Sequence, residues 1–457
     1  MVKAFCCCSF FLFRYFLLFI FIIDFVQGAS HQYHRNLSRC GVNVCSDSSA
    51  ETSASKIFRL DQQDIVTLPV KYTDEGHYVV KLGLGTPKTT LTFSIQTYVN
   101  ISWTQCQPCS SCYKQTDPIF NPSKSSSYST VPCTSPSCVA GCSSSDACSF
   151  HYKDGDNTVI DGELSTDVVS LDEKVSVKEF VFGCGTSNYL GLPGTVAGYF
   201  GLRTGPLSFL TMYKETFSYC LPLKNSLGFL SFGGDGLTSN AATFVPFSGA
   251  VPLSINDIST NYVLDLAGVS VGGKALSTSL SVEHPLPILL DSGTSVTRFT
   301  GEIYAVLRDD FRRRMSKYPL VKETLSPVLD TCFDVSGHTN VPVPAIEFTF
   351  SNGIVVPLKS SGILYDWNST VSCFPFSVVG DGNSNYAIFG AVQQSTFEII
   401  YDNPNKRIGF SKNRCSKEEP FKPIASSAAT LALPPAAAVA MNLVMALALL
   451  FNRDIIS

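Results

Sequence analysis

From residue 77 to residue 415, short runs of alternating apolar and polar residues are separated by clusters of glycine, serine, asparagine and proline. The first clear run is HYVVKLGLGTP at residues 77–87, a strand pattern that ends in a Gly-Thr-Pro turn. Helical patterns are few, and the strongest is EIYAVLRDDFRRRMSKY at residues 302–318. The distribution predicts an all-β fold with minor helix.

Two parts of the chain repeat one arrangement at a similar separation. A strand-like FSIQT at residues 93–97 is followed by AGYFG at 197–201, and LLDSGT at 289–294 is followed by AIFG at 387–390. The repeat predicts a duplicated, β-rich lobe. We therefore expect an N-terminal lobe over residues 73–245 and a C-terminal lobe over residues 246–416, which suits a length of 457 residues.

The N-terminal segment has the pattern of a secretory signal peptide over residues 1–28. Lys3 and Arg14 precede an apolar core at residues 16–23, and small residues follow at 28–30. A membrane-spanning anchor is the alternative, but the uncharged core is short for that purpose. Residues 29–72 are polar and weakly patterned, and we interpret them as a leader or pro-segment.

The tail at residues 417–457 leaves three alternatives open. Residues 428–451 carry no charge, and small residues at 426–428 are suited to attachment of a GPI anchor. A spanning helix is the second alternative, although Pro434 and Pro435 interrupt it, and an unprocessed tail is the third. Either of the first two gives a membrane tether, so we expect a secreted or cell-surface protein.

Composition narrows the function classes. Charged residues make up only 15% of the chain and hydrophobic residues 45%, a balance typical of a strand-rich secreted protein. The net charge of −4 provides no basic surface, which excludes nucleic acid as an expected partner.

Cysteine usage agrees with export. Three of the 17 cysteines leave with the signal peptide, and an even number remains, which indicates disulfides in an oxidising compartment. Seven crowd into an insert at residues 106–148. The spacing of Cys106, Cys109 and Cys112 also resembles metal ligation, but no histidine cluster accompanies it, so neither a metal nor a cofactor is expected. Sequons predict N-glycosylation at Asn36, Asn100 and Asn368.

A series of motifs resembles the pepsin-like aspartic peptidases, in particular the nepenthesin-like plant branch. In chain order they are YVVKLGLGTP, WTQCQPC, FNPSKSSSYSTVPC, FVFGCG, FSYCLP, VSVGG, LLDSGTSVTRF and AIFGAVQQSTFEIIYDNPNKRIGFSKNRC, which together span residues 77–415. The resemblance implies two β-rich lobes that face each other across a peptide-binding cleft, each with one Asp-Thr/Ser-Gly loop. It also implies that Cys332 pairs with Cys373, that Cys220 pairs with Cys415, and that the cysteine-rich insert is braced.

The resemblance further implies a reaction carried by two facing carboxylates that share one proton. Asp291 matches the aspartate of the second lobe, and Ser292, Gly293 and Thr294 match the residues that hold it. A solvated turn aspartate is the plainer alternative. In the first lobe the pattern Asp-Thr-Gly-Ser-Asp falls on QTYVN at residues 96–100, so only Thr97 is kept and Gln96 replaces the aspartate.

The replacements in this loop change its chemistry. The amide of Gln96 donates a hydrogen bond but does not titrate, so it is neither a general acid nor a general base. Tyr98 adds bulk where the family has glycine, and adds strain if its φ is positive. Val99 removes a hydroxyl. A glycan on Asn100 would impede substrate entry, unless the sequon is buried and unused.

The flap of the family is partly kept in YKDGD at residues 152–156, where Tyr152 stands in the place of the substrate-covering tyrosine. Lys153 and Asp156 depart from the family pattern, and an ordinary charged hairpin turn is the alternative interpretation.

These residues predict a monomeric, catalytically defective family member that retains a cleft for a polypeptide or protein ligand. Without a like-charge neighbour, Asp291 is expected to be ionised at mildly acidic pH. A weakly active secreted aspartic endopeptidase is one alternative. A binding protein for glycosidases, as in some relatives of the plant branch, is the other.

Overall fold

The computed structural model describes residues 65–138, 141–143, 146–191, 194–222, 226–234, 242–247, 262–323, 325–380, 382–412 and 415, all within one compact unit, Asp64–Ser457. The signal peptide, Asn36, residues 29–64 of the leader and the tail at residues 417–457 lie outside the described residues.

Strands dominate both halves of the described chain. The N-terminal half contains β1 (Val66–Tyr72), β2 (Tyr78–Leu84), β3 (Thr89–Gln96), β4 (Ser102–Gln105), β5 (Ser129–Thr130), β6 (Ser149–Lys153), β7 (Val159–Ser170), β8 (Ser176–Tyr189), β9 (Gly198–Gly201), β10 (Thr216–Cys220), β11 (Gly228–Phe232), β12 (Ala242–Pro246) and the helix α1 (Phe209–Met212). The C-terminal half contains β13 (Val263–Val271), β14 (Lys274–Ala275), β15 (Leu286–Leu290), β16 (Thr297–Phe299), β17 (Cys332–Asp334), β18 (Ile346–Phe350), β19 (Val355–Pro357), β20 (Tyr365–Asp366), β21 (Val371–Cys373), β22 (Phe376–Val378), β23 (Ala387–Phe389), β24 (Glu398–Asp402), β25 (Arg407–Ser411) and the helices α2 (Gly301–Arg314) and α3 (Ala391–Gln394). The expected all-β fold with minor helix is confirmed.

The two sequence repeats occupy matching positions. β3 runs parallel to β9, so that Gln96 is paired with Gly201 at the end of both strands. β15 runs parallel to β23, with Leu290 paired with Phe389, and the backbone amide of Asp291 donates to the carbonyl of Phe389 at 3.2 Å. Each half therefore presents one site residue at the end of a strand that has a parallel neighbour.

One sheet continues through both halves. Thirteen of its fourteen strands follow the order β12-β25-β24-β10-β11-β1-β2-β3-β9-β4-β8-β7-β5, and the fourteenth, β6, pairs with β7. In this sheet β24 and β25 come from the end of the described chain. The expected lobe boundary at residues 245/246 falls inside β12, which pairs with β25. The C-terminal half adds an eight-stranded sheet around β13 and a three-stranded sheet, β17-β21-β20.

The strand β1 lies within the segment that the sequence analysis interpreted as a leader. Val66, Leu68 and Val70 are buried and alternate with exposed neighbours, as in a half-buried strand. The alternation includes Pro69, a residue that argues against a central strand because it lacks a backbone donor. β1 nevertheless pairs with β11 on one side and with β2 on the other.

Helix α2 occupies most of the segment with the helical pattern and ends at Arg314 instead of residue 318. Its buried face consists of Ile303, Tyr304, Leu307 and Phe311, which recur at helical spacing. Within the described residues, no helix has the length and apolar character needed to cross a membrane.

Six disulfides cross-link the described chain. The pairs that the resemblance implies, Cys220–Cys415 and Cys332–Cys373, are both bonded. The insert is braced by Cys106–Cys184, Cys109–Cys112, Cys133–Cys142 and Cys138–Cys148. The three cysteines whose spacing resembles metal ligation are therefore all engaged in disulfides.

Candidate active site

The side chains of Gln96 and Asp291 both lie next to Gly293. Gln96 ends β3 and Asp291 directly follows β15, and the two residues are only 4% and 6% exposed. Gly293 makes their approach possible. A Cβ on Gly293 would lie 3.2 Å from Asp291 Oδ1 and would collide with Gln96 Oε1.

Hydrogen bonds between the two loops hold this arrangement. The amide of Thr97 donates to Ser292 Oγ at 3.2 Å, and the amide of Ser292 donates to Thr97 Oγ1 at 3.0 Å. Each hydroxyl also donates to a carbonyl of the opposite loop: Thr97 Oγ1 to Leu290 at 3.2 Å and Ser292 Oγ to Ile95 at 3.0 Å. The frame of a symmetric site is therefore intact.

The Asp291 carboxylate is fixed by its own loop. Gly293 N donates to Oδ1 at 2.8 Å, and Thr294 Oγ1 donates to Oδ2 at 2.7 Å. Burial raises the pKa of Asp291 above its ordinary value, and these hydrogen bonds oppose the rise, while the charge of Asp156 adds to it. The sequence-based expectation of an ionised Asp291 considered neighbouring charges only, and burial acts in the opposite direction.

Gln96 is held by a partner that the sequence reasoning missed. Its Nε2 donates to Ser94 Oγ at 3.2 Å, and Ser94 Oγ lies 3.4 Å from Nδ1 of His77. Gln96 Oε1 is buried and accepts no hydrogen bond from the described residues. Ser94 precedes Gln96 by two residues on the same face of β3, so the period of a strand could have identified it.

Tyr98 follows Thr97 without backbone strain, since its φ lies outside the left-handed region. Its hydroxyl lies 2.7 Å from the hydroxyl of Tyr152 in β6, the tyrosine that the sequence predicts for a flap. Tyr152 also donates to Asp154 Oδ2 at 3.3 Å. The structure thus brings Tyr152 to the first loop, through a contact that no sequence signal indicated.

The described sequons differ in exposure. Asn368 is exposed in the turn between β20 and β21, whereas Asn100 is half-buried beside Gly205. The hydroxyl of Ser102, the third residue of the first sequon, is buried and accepts from Gly201 N at 3.0 Å.

Comparisons with known proteins agree with this geometry. Residues 78–234 match the family model described as xylanase inhibitor N-terminal, and residues 261–412 match xylanase inhibitor C-terminal. An aspartyl protease family protein of Arabidopsis thaliana is 39% identical over 86% of this chain and 82% of its own. Aspartic proteinase nepenthesin-1 of Nepenthes gracilis is 31% identical over 75% and 79%.

Solved structures share the fold at low identity. The crystal structure of edgp covers 76% of this chain and 94% of its own with a TM-score of 0.64 and 20% identity. Basic 7S globulin from soybean covers 76% and 95% with a TM-score of 0.61 and 18% identity. With curated relatives at this identity and coverage, the chain belongs to the pepsin-like aspartic protease family of plants.

Proposed function

We propose that this protein is a secreted family member that has lost peptidase activity and binds a polypeptide or a protein between its lobes. The observation that carries the proposal is Gln96, an amide that lies opposite Asp291 where the family's reaction uses a second carboxylate.

Chemistry supports the loss of activity. In this reaction one carboxylate takes a proton from the attacking water while the other, protonated, donates to the substrate carbonyl. Asp291 alone supplies one of these functions, and Gln96 does not titrate. A single group of this kind contributes about 10²–10⁴-fold to a rate, so we expect cleavage to be reduced by at least that factor.

Two observations support secretion and a retained cleft. The six disulfides are typical of an oxidising compartment, in agreement with the signal-peptide pattern. The hydrogen bonds between Thr97 and Ser292 are kept although the first loop has lost its acid. Substitutions that keep the hydrogen bonds between the loops but remove the catalytic carboxylate favour a protein that still folds and binds a ligand.

The peptidase assay tests this proposal against the weakly active endopeptidase. The full-length protein, produced in a eukaryotic secretory host, is incubated with protein substrates between about pH 3 and pH 6, with and without pepstatin. Nepenthesin-1 is the positive control and Asp291→Asn the negative control. We expect the wild type to match Asp291→Asn. Pepstatin-sensitive cleavage that Asp291→Asn abolishes would contradict the proposal.

Glycosidase inhibition is a second candidate, favoured by the description of the two matching family models as xylanase inhibitor domains. It is tested by titrating a secreted endo-xylanase with the purified protein. Stoichiometric inhibition would support this candidate and identify the ligand, whereas an unchanged xylanase rate at excess protein would rule it out for that enzyme.

A further inference from the structure

A chain of hydrogen bonds connects the first loop to the tip of the flap. Because Tyr152 donates its proton to Asp154 Oδ2, the Tyr152 oxygen accepts from the hydroxyl of Tyr98 at 2.7 Å. The other carboxylate oxygen, Asp154 Oδ1, accepts from the amides of Asp156 at 3.0 Å and Thr158 at 2.9 Å. Tyr98 is therefore linked through two side chains to the backbone of the flap tip.

The ring of Tyr98 is also packed under the flap. It contacts an apolar cluster that contains Val99, Trp103, Tyr152 and Tyr199. The ring of Tyr152 lies 6.0 Å from that of Trp103 and 6.1 Å from that of Tyr199, measured between centroids. Burial raises the pKa of both the Tyr98 and the Tyr152 phenol far above the ordinary value, so both hydroxyls remain protonated at any pH the folded protein meets.

The two loops differ at their third position. Gly293 holds the third position of its loop, Asp291-Ser292-Gly293, as Tyr98 does in Gln96-Thr97-Tyr98. Even one Cβ on Gly293 would collide with Gln96 Oε1. Tyr98 carries a whole phenol ring at the corresponding position of the first loop, and Gln96 and Asp291 are both buried.

We propose that Tyr98 determines which ligands the cleft accepts: its ring fills the centre, and its hydroxyl latches the flap through Tyr152. An extended polypeptide passes the centre only after this latch opens, so the closed protein selects ligands that contact the rims of the lobes. The ligand part of this inference rests on the proposed function, whereas the latch itself does not.

Hydrogen–deuterium exchange tests the latch without any ligand. The amides of Asp156 and Thr158 are followed in the wild type, Tyr98→Phe, Tyr152→Phe and the double variant. One lost hydrogen bond predicts exchange about 2- to 10-fold faster in Tyr98→Phe. Because both hydroxyls belong to one contact, the double variant should match Tyr152→Phe.

Tyr128→Phe is the matched control, since it removes a hydroxyl contact of 2.8 Å to Ser165 in the same half of the protein. Flap exchange should not change in that variant. Equal flap exchange in the wild type and Tyr98→Phe would overturn the latch.

Binding of pepstatin, used as a probe of extended peptides, tests whether the Tyr98 ring blocks the cleft. Calorimetry should give an affinity at least about tenfold higher for Tyr98→Gly than for the wild type, while Tyr98→Phe stays near the wild type because its ring remains. Thermal unfolding verifies that Tyr98→Gly is folded. A folded Tyr98→Gly that binds pepstatin no better than the wild type would show that the ring does not block the cleft. Cleavage by the wild type in the peptidase assay would refute the proposed function and leave the exchange result standing.

Discussion

Thr97 and Ser292 exchange hydrogen bonds across the two loops, each backbone amide being held by the side-chain hydroxyl of the other residue at 3.2 and 3.0 Å. The two residues are 195 positions apart in the chain, and both are buried. The contact therefore joins the two halves at the point where their site residues meet.

Thr97→Ala should destabilise the protein by about 1–3 kcal/mol, because it leaves the buried amide of Ser292 and the carbonyl of Leu290 without a partner. Denaturant unfolding measures the loss. Thr211→Ala, which removes an exposed hydroxyl bonded to the Gly205 carbonyl, is the control and should change stability by less than about 0.5 kcal/mol. Equal losses in both variants would show that the cross-loop contact stabilises the protein no more than an exposed hydrogen bond does.

Gln96→Asp alone should leave cleavage near background. The change restores a second carboxylate, but Tyr98 remains bonded to Tyr152 and, by the proposal above, its ring still blocks the centre of the cleft. Gln96→Asp combined with Tyr98→Gly should raise pepstatin-sensitive cleavage by about 10²-fold or more over the single variant. Robust cleavage by Gln96→Asp alone would mean that Tyr98 is no obstacle.

Because Asp291 is buried, its contribution to the free energy of unfolding should fall as pH rises. Burial raises its pKa above the ordinary 3.8, so the native state binds the proton more tightly than the unfolded state. The stabilising effect of that proton is complete below pH 3.8 and is lost as pH rises through the elevated pKa. The free energy of unfolding of the wild type minus that of Asp291→Asn should therefore shrink over this range. A difference that grows with pH would mean that the hydrogen bonds from Thr294 and Gly293 outweigh burial.

Glycosylation should distinguish the two described sequons. Asn368 is exposed, and its Oδ1 accepts from the amides of Thr370 and Val371 at 2.9 Å, so it should carry a glycan. Asn100 should be unmodified in the folded protein, because its side-chain amide lies against Gly205. Mass spectrometry of the glycopeptides, with Asn368→Gln as the control, measures occupancy. A glycan on Asn100 would require the first loop to lie differently.

Periodicity and the repeated strand-turn pattern predicted much of this fold. The matching separation of FSIQT from AGYFG and of LLDSGT from AIFG predicted two halves built on one plan, and in the structure β3 is paired with β9 as β15 is paired with β23. The interpretation of Gln96 as the partner of Asp291 rests on the resemblance to the aspartic peptidases, whose pattern Asp-Thr-Gly-Ser-Asp falls on residues 96–100.

What the sequence did not predict depends on contacts between distant residues. Tyr98 and Tyr152 are 54 positions apart, and neither carries a pattern that points to the other. The seven cysteines of the insert are an odd number, so one had to pair elsewhere, but only the fold identifies Cys184 as its partner. The strand β1 was obscured by Pro69.

The sheet that continues through both halves has a consequence for synthesis of the chain. One edge of β10 is paired with β11 and the other with β24, and β12 is paired with β25; β24 and β25 are among the last described residues to be synthesised. Until they emerge, the first half presents unpaired strand edges of the kind that invite aggregation. The sheet is therefore completed only when β24 and β25 have been made, and a chain truncated at residue 245 would lack both strands.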